Sequence, residues 1–198
     1  MKQKLTRWAP RFKLVAVLDK IFLKACRGEA TPYTPIWLNR QAGRYMPEYH
    51  AVKGKMTSLE FFKNPEKAAI ATLDAQRILN TDAAIMFADL LPIMEPMGLE
   101  LDYVEKVGPV FSNPVRSQKD VEKLRVVEAE VGTPYIEHTI KNILSELPKE
   151  IALIGFAGAP WTVATYMIEG KGSKDHQKTK VFMASMPESF DLLISKSI

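Results

Sequence analysis

Two arginines that follow a short apolar run are the first residues of this chain that could do chemistry. Arg40 and Arg44 come directly after residues 36–38, which we expect to form a short buried strand. A strand that ends in a Gly-containing loop places backbone N–H groups and cationic side chains at the rim of a sheet, where open α/β folds bind their ligands. Because guanidinium groups bind carboxylates in a bidentate manner and stay charged when desolvated, the pair predicts an anionic ligand. Ion pairs with Glu48 or Glu95 are the structural alternative.

Asp89 is an acidic residue in a position that is typical of catalysis. It lies near the end of the apolar run 82–91, which we expect to be a buried strand of a parallel sheet. Barrels of alternating strands and helices place catalytic groups at the C-terminal ends of their strands. A carboxylate buried there needs a partner, because unpaired burial is costly. A helix N-cap or an ion pair with Arg40 or Arg44 would satisfy it equally well, so both alternatives stay open.

Other residue types carry weaker signals. Tyr166 lies on the helix predicted after residues 155–160, where most tyrosines are packing residues with a satisfied hydroxyl. The three histidines have no visible acid or nucleophile beside them, so a Ser/His/Asp arrangement is not supported. The glycines match neither of the common nucleotide-binding fingerprints.

Composition bounds the class of protein. The chain has 198 residues, of which 46% are hydrophobic and 25% charged, as in ordinary globular domains. Its single cysteine, Cys26, excludes an intrachain disulfide, and no Cys/His spacing resembles a metal site, so a reducing, cytoplasmic setting is the simplest interpretation. No apolar run approaches the roughly 20 residues of a membrane span, and no membrane partner is expected.

The charge is distributed unevenly along the chain. Residues 1–55 contain 12 Lys/Arg and 3 Asp/Glu, a net charge of +9, whereas the whole chain has a net charge of +4. A basic region that includes the two arginines favours an anionic ligand by raising its local concentration. Residues 1–17 are interpreted as a basic N-terminal extension. Nucleic acid is not an expected partner, because the lysines are not interleaved with aromatic residues that could stack on bases.

Helices and strands are predicted to alternate along the chain. The pattern predicts helices over residues 14–27, from Asn64 to about Leu79, from residue 133, after residue 160 and from residue 187, with strands at 36–38, 82–91 and 151–156 and an extended or hairpin segment at 108–114. This alternation favours a parallel α/β architecture. A closed (β/α)8 TIM barrel typically needs about 250 residues. We therefore expect residues 18–198 to supply its N-terminal half.

Two long motifs carry a resemblance to a known family. Residues 40–49, RQAGRYMPEY, and residues 155–162, GFAGAPWT, occur in the order in which they occur in uroporphyrinogen decarboxylases of haem and tetrapyrrole biosynthesis. Residues 82–85 and the pair Phe87 and Asp89 support the match between the two motifs. The resemblance covers roughly residue 18 to the end of the chain.

The resemblance implies a cofactor-free, homodimeric (β/α)8 barrel with no metal. Such an enzyme removes CO₂ from the four acetate side chains of uroporphyrinogen III and gives coproporphyrinogen III. The arginine loop is expected to bind the substrate carboxylates, Asp89 to hold the pyrrole N–H groups and stabilise the cation formed in the reaction, and Tyr166 to contact the substrate. The residues carried over as substrate-binding are Arg40, Gln41, Ala42, Gly43, Arg44, Asp89 and Tyr166, and those carried over as catalytic are Asp89 and Arg40.

The proton donor is not assigned. Arg40 is a candidate by position, but a guanidinium is a poor acid. The chain also departs from the family pattern, in which further arginines are common at the positions of His50 and Lys53, a serine is common at Ala88, and a glycine run contains no equivalent of Lys171. Lysine keeps the charge but loses the bidentate fork, which weakens the grip on a carboxylate.

Two other functions are compatible with the fold. A cobalamin-linked methyltransferase on the same barrel would use a zinc site with Cys and His ligands, which the lone Cys26 does not provide. A truncated relative that binds porphyrin without turnover is the non-enzymatic alternative. The family's remaining pocket residues, a serine and a histidine, would lie beyond residue 198, so we expect this chain alone to be unstable or inactive.

Overall fold

The computed structural model describes residues 20–39 and 41–197. These residues form ten α-helices, four β-strands and one turn of 3₁₀ helix at Pro92–Met94. In chain order the helices and strands are α1 (Ile21–Cys26), α2 (Pro47–Lys53), α3 (Ser58–Phe62), α4 (Pro65–Leu79), β1 (Ala83–Ile85), β2 (Leu101–Val104), β3 (Gly108–Phe111), α5 (Gln118–Lys123), α6 (Ala129–Gly132), α7 (Pro134–Glu146), β4 (Ala152–Ile154), α8 (Pro160–Glu169), α9 (Gln177–Ser185) and α10 (Pro187–Lys196). The basic extension over residues 1–17 and the first part of the helix predicted from residue 14 lie outside the described residues.

Helix α4 begins and ends where its sequence predicts. The Asn64 side chain accepts a hydrogen bond of 2.9 Å from the Lys67 N–H, and Pro65 occupies the first helical position. At the other end Asn80 adopts a left-handed conformation with φ of 48°, a common way to stop a helix. The buried face of α4 is rich in alanine, which lets α7 pack close against it.

Strands β1 and β4 form a parallel pair that confirms the predicted α/β class. Ala83 pairs with Ala152 and Ile85 pairs with Ile154. The connection between them includes α7, which packs with α4 over the pair. Buried residues of the strands and helices form one apolar layer there, made of Ala69, Ala84, Met86, Ile143 and Leu147. Both strands therefore present their C-terminal ends at the same edge.

The prediction of a buried strand at residues 36–38 is wrong for the described structure. The segment forms no strand, and Ile36 and Leu38 are 51% and 46% exposed. Its contact with the start of β1 is local: the Asp82 N–H donates to the Ile36 carbonyl at 3.0 Å, and the Ile36 N–H donates to the Asp82 carboxylate at 2.7 Å. The backbone ladder does not continue, because the side chain of Gln41 occupies the next positions along β1.

Strands β2 and β3 form the antiparallel hairpin expected around residue 108. Val104 pairs with Gly108, and the turn between them uses positive φ angles at Lys106 and Gly108. The Phe111 N–H donates to the Gly170 carbonyl at 2.7 Å, so the hairpin packs against the end of α8. The Phe62 ring contacts both Tyr103 of β2 and Phe87, two residues after β1, so β2 lies near the exit of β1.

Helix α7 differs from its predicted form in two details. Thr133 precedes the helix, but its hydroxyl donates to the Ala129 carbonyl and caps no N–H of α7. Leu144, predicted on the apolar face with Ile143, is 55% exposed. The buried stripe of α7 is therefore narrower than the apolar pattern indicates.

Helix α9 begins at a contact supplied by another helix. One oxygen of the buried Glu169 carboxylate, at the end of α8, accepts hydrogen bonds of 2.9 Å from both the N–H and the hydroxyl of Thr179. The carboxylate thus satisfies an N–H in the first turn of α9, where negative charge is favourable. Gly170, with φ of 78°, ends α8 immediately after Glu169.

Candidate functional site

A cavity of about 500 Å³ opens at the C-terminal ends of β1 and β4. Its walls are mostly apolar and come from the two strand exits, the 3₁₀ turn, the segment before α7 and the start of α8. Asp89 is the one carboxylate among the described residues that line it. Lys196 also lines the cavity, but its ammonium donates to the carbonyls of Val121, Glu122 and Leu124. The cavity therefore combines apolar walls with one carboxylate, as ligand sites commonly do.

Asp89 is held by a local turn. One of its carboxylate oxygens accepts a hydrogen bond of 2.8 Å from the Leu91 N–H, at the entry to the 3₁₀ turn. This contact is a turn within the chain and not a helix N-cap, because Leu91 itself occupies the N-cap position of the 3₁₀ turn. Arg44 forms no ion pair with Asp89, Glu48 or Glu95, and Glu95 lies 2.7 Å from the Lys63 ammonium. The second oxygen of Asp89 has no hydrogen bond to a described residue.

Tyr103 lies beside Asp89. The Tyr103 hydroxyl is shielded from solvent and makes no hydrogen bond of ordinary geometry within the described part of the chain. Burial raises the pKa of Tyr103, and the charge of the nearby Asp89 carboxylate raises it further, with Glu95 and Tyr166 acting in the same direction. Tyr166, on α8, is partly buried and packs against the same core as Tyr103. The structure thus brings Asp89, Tyr103 and Tyr166 into one neighbourhood.

Tyr135 adds a second phenol to this region. It lines the cavity near the start of α7. Burial raises its pKa to about 12, with further contributions from the charges of Glu95 and Asp89. Burial is the main cause of this raised pKa, and the two carboxylates add to it because they lie near the phenol.

Gln41 is buried, and its side chain is fully used within the protein. It is 1% exposed; its amide nitrogen donates to the Thr81 hydroxyl at 2.7 Å and to the Ala83 carbonyl at 2.8 Å. Its amide oxygen accepts from the Ile85 N–H at 3.2 Å, and its backbone carbonyl accepts from the Tyr45 hydroxyl. The side chain therefore anchors the arginine loop to β1.

The rest of the arginine loop is more open. Arg40 lies outside the described residues, Ala42 is partly buried against an apolar cluster, and the Gly43 carbonyl accepts from the Met46 N–H at 3.0 Å. Arg44 is exposed, and no carboxylate of residues 20–39 or 41–197 lies within ion-pair distance of its guanidinium. An arginine without an internal partner is available to a ligand.

Aromatic rings connect the arginine loop to the Asp89 region. We call Tyr49, Phe61, Phe62, Phe87 and Tyr103 the aromatic cluster. The Tyr49 ring, five residues after Arg44, lies 5.6 Å from the Phe87 ring, two residues before Asp89. Phe62 lies 5.3 Å from Phe87 and 5.6 Å from Tyr103. Edge and tilted ring contacts of this kind are favourable, so the cluster couples the positions of the loop, the β1 exit and the hairpin.

Sequence reasoning missed Tyr103, Tyr135 and the pair of Lys63 with Glu95. In β2, Leu101 and Tyr103 are more buried than Asp102 and Val104, but the sequence Leu-Asp-Tyr-Val does not show which face of the strand is covered, because Val104 is apolar and exposed. Tyr135 has no sequence signal either, because the second position of a helix does not indicate which loop packs beside it.

Neither a cluster of metal ligands nor a membrane-spanning helix is found among the described residues. Within residues 20–39 and 41–197, no three His, Cys, Asp or Glu side chains lie close enough together to hold a metal ion. No helix in that part of the chain has the length and apolarity needed to cross a bilayer.

Comparison with known proteins identifies the family. The family model for Uroporphyrinogen decarboxylase (URO-D) matches residues 18–198. Uroporphyrinogen decarboxylases from Geobacter sulfurreducens and Carboxydothermus hydrogenoformans are 53% and 48% identical to the chain over 179 residues, which is 90% of this chain but 52% and 51% of those proteins. The chain thus spans about half the length of the curated relatives it matches.

A solved structure supports the fold. A methyltransferase from Methanosarcina mazei superposes with a TM-score of 0.67 over 88% of this chain and 50% of that one. Its sequence identity is 19%, so this likeness concerns the fold alone. The matched sequence family, by contrast, covers both motifs and the Asp89 region, and the chain is a member of the uroporphyrinogen decarboxylase family.

Proposed function

We propose that this chain supplies the N-terminal half of an enzyme that decarboxylates the four acetate side chains of uroporphyrinogen III to give coproporphyrinogen III. The observation that carries the proposal is Asp89, the carboxylate in an apolar cavity at the strand exits. Family membership supports the reaction, and Arg44, which is exposed and has no ion-pair partner among residues 20–39 and 41–197, supports a polyanionic substrate. The same support extends to a role in haem and tetrapyrrole biosynthesis.

The chemistry needs an electron sink and a stabilised cation. Protonation of a pyrrole carbon makes the ring cationic, the bond between the acetate CH₂ and its carboxylate then breaks, and its electron pair moves into the ring as CO₂ leaves. The exocyclic carbon then takes up a proton to become a methyl group, and the ring carbon loses the proton that it gained in the first step, which restores the aromatic pyrrole. Because the substrate itself provides the sink, the proposal requires no cofactor.

Each site residue has a role in this proposal. The free oxygen of Asp89 accepts from the pyrrole N–H groups and stabilises the cation, a preorganised electrostatic role of the kind that dominates many enzymes. Arg40 and Arg44 bind the substrate carboxylates, and Tyr166 contacts the macrocycle. Gln41 contributes through its backbone and by anchoring the loop, since its side chain is already hydrogen bonded within the protein. Ala42 and Gly43 complete the loop around the carboxylates.

The larger assembly is part of the same proposal. We propose a (β/α)8 barrel, supported by the parallel β1 and β4 pair and by the likeness to the methyltransferase fold. A homodimer and a cytoplasmic setting follow from the family resemblance. The methyltransferase alternative rests on the fold alone and is not favoured over the decarboxylase.

Substitution of Asp89 in the complete gene product tests the proposal. We expect Asp89→Ala to lower kcat for decarboxylation of uroporphyrinogen III by about 100- to 1000-fold while thermal stability changes little, because the charge that stabilises the cation is lost. Asp74→Ala, which removes a partly buried aspartate that is paired with Arg77 away from the cavity, is the matched control.

Arg44 provides an independent check on substrate charge. Arg44→Ala should raise KM for uroporphyrinogen by about tenfold or more, since a charge-assisted contact to a carboxylate is lost. Arg77→Ala is the control for removal of an exposed arginine. Porphyrin binding without turnover in the unaltered enzyme would favour the non-catalytic alternative, and unchanged activity of Asp89→Ala would refute the assigned role.

A further inference from the structure

The Tyr103 hydroxyl has no assigned role, yet its setting is unusual. It is shielded from solvent and makes no hydrogen bond of ordinary geometry within residues 20–39 and 41–197, although the Asp89 carboxylate lies within side-chain hydrogen-bonding reach. Buried hydroxyls in folded proteins nearly always have a partner, because burial without one loses the hydrogen bonds that water would make. A buried polar atom without a partner in the resting structure indicates a bond that forms in another state of the protein.

The position of the hydroxyl is fixed by its surroundings. Tyr103 lies in β2, where it pairs with Pro109 of β3, and its ring contacts Phe62 at 5.6 Å. Phe62 in turn contacts Phe87, two residues before Asp89. Ring and carboxylate therefore belong to one packed unit, and the phenol cannot turn to water without breaking the aromatic cluster.

Several groups surround Tyr103, and Asp89 is the carboxylate nearest to a hydrogen bond with it. Glu95 is paired through one oxygen with Lys63 at 2.7 Å and acts on Tyr103 through its charge alone. Tyr166 lies near Tyr103, and Tyr135 lies near the same two carboxylates. Asp89 uses one oxygen to accept from the Leu91 N–H, and the carboxylate lies within side-chain hydrogen-bonding reach of the Tyr103 hydroxyl. Asp89 is thus the acceptor that the Tyr103 hydroxyl can engage with the least movement.

We propose that Tyr103 is a positioning residue for Asp89. In the substrate complex the Tyr103 hydroxyl donates a hydrogen bond to the Asp89 carboxylate, and this bond keeps the carboxylate ionised and directed at the pyrrole N–H groups. This role rests on the proposed function. Catalytic hydrogen bonds are often long in the free enzyme and tighten when substrate binds. The raised pKa of Tyr103 supports the role, because the phenol stays protonated and remains a donor at all working pH values.

Removal of the hydroxyl with the ring retained tests the proposal. In the complete gene product, Tyr103→Phe should lower kcat for decarboxylation about tenfold, the loss expected for one hydrogen bond to a charged group, with KM within about twofold of the unaltered enzyme. Without the donor the carboxylate takes up a proton more readily, so the acidic limb of the pH profile of kcat/KM should move to higher pH.

A matched control separates this effect from loss of any tyrosine beside an aspartate. Tyr33 donates to the Asp82 carboxylate at 2.6 Å in an exposed position away from the cavity. Tyr33→Phe should leave kcat, KM and the pH profile unchanged. A tenfold loss in both variants, or in neither, overturns the assignment to Tyr103.

A double substitution shows whether Tyr103 acts through Asp89. In an Asp89→Asn background, Tyr103→Phe should have no further effect on kcat, since the charged acceptor is already absent. If the two losses multiply, Tyr103 acts independently of Asp89 and the proposal is wrong.

A readout that needs no turnover keeps the two proposals distinct. With tyrosine labelled at the carbon that bears the hydroxyl, Asp89→Asn should shift the NMR resonance of Tyr103, whereas Asp74→Asn should not. If the enzyme is inactive but shows this shift, the proposed decarboxylase function is refuted and the proposed contact between Tyr103 and Asp89 stands. If the enzyme is active but shows no shift, the proposed contact is refuted and the decarboxylase function stands.

Discussion

The Ile85 N–H donates to the side-chain oxygen of Gln41 at 3.2 Å, so a side-chain amide does for β1 what the backbone of a neighbouring strand would do. The same amide donates to the carbonyl of Ala83, the residue that precedes Ile85 by two on the same edge of the strand. The Gln41 side chain thus provides hydrogen-bond partners for one backbone N–H, that of Ile85, and one backbone carbonyl, that of Ala83, on the free edge of β1. It also fixes the start of the arginine loop to the strand that leads to Asp89.

We predict that Gln41→Ala destabilises the protein by about 2 kcal/mol, because it leaves the Ile85 N–H without its partner and removes one of the two side-chain donors to the Ala83 carbonyl, the other being the Thr81 hydroxyl. Urea denaturation measures the change. Gln118→Ala, which removes an exposed glutamine that bonds to Glu122, is the control and should change stability by less than about 0.5 kcal/mol. Similar values for both variants would show that the edge contact does not contribute.

We predict that Gly158→Ala destabilises the protein by about 1–3 kcal/mol through overpacking. An added Cβ would lie 2.7 Å from a methyl group of Val163 and 3.4 Å from Leu90. In the double variant Gly158→Ala/Val163→Ala the clash is relieved, so the total loss of stability should be less than the sum of the two single losses by about 1 kcal/mol. Gly155→Ala, where the added Cβ meets nothing within 4 Å, should be nearly neutral. Additive losses in the double variant would exclude overpacking.

We predict that Tyr135 makes the protein less stable at alkaline pH. Its pKa is about 12 in the folded state and near 10 when unfolded, so the folded state favours the neutral phenol. The stability that this provides is present below pH 10 and is lost as the pH rises from 10 to 12, by about 1 kcal/mol after allowance for solvent screening. Free energies of unfolding for the unaltered protein and Tyr135→Phe should differ by a constant amount from pH 7 to 9 and then converge or cross. Parallel curves through pH 12 would contradict the prediction.

Local signals predicted the elements whose ends are set by their own residues. Helix α4 is bounded by Asn64, Pro65 and Asn80, and each acts at short range. The apolar runs that contain β1 and β4 and the turn between β2 and β3 are equally local signals. The position of Asp89 at a strand exit followed from them.

Structural features that depend on contacts between residues far apart in the chain could not be predicted from the local sequence pattern. Residues 36–38 have the composition of a buried strand, but Gln41, a polar residue, takes the edge of β1 that they would pair with. The sequence of α9 lies in a polar stretch and shows no marked apolar stripe. The first turn of α9 is stabilised by Glu169, which belongs to α8. Tyr103 became a candidate only when folding placed its hydroxyl beside Asp89.

The bonds from Thr179 to Glu169 set the angle between α8 and α9 without help from the residues that connect them. The connection over residues 171–176 has contacts of its own, because Lys171 forms a β-bridge with Val110 and the Ser173 hydroxyl accepts from the His176 N–H at 3.1 Å. Since the entropy of closing a loop grows only slowly with its length, an insertion between Lys171 and Ser173 should cost this protein less than loss of the bonds from Thr179 to Glu169. The helix that carries Tyr166 should therefore keep its place when this connection is lengthened.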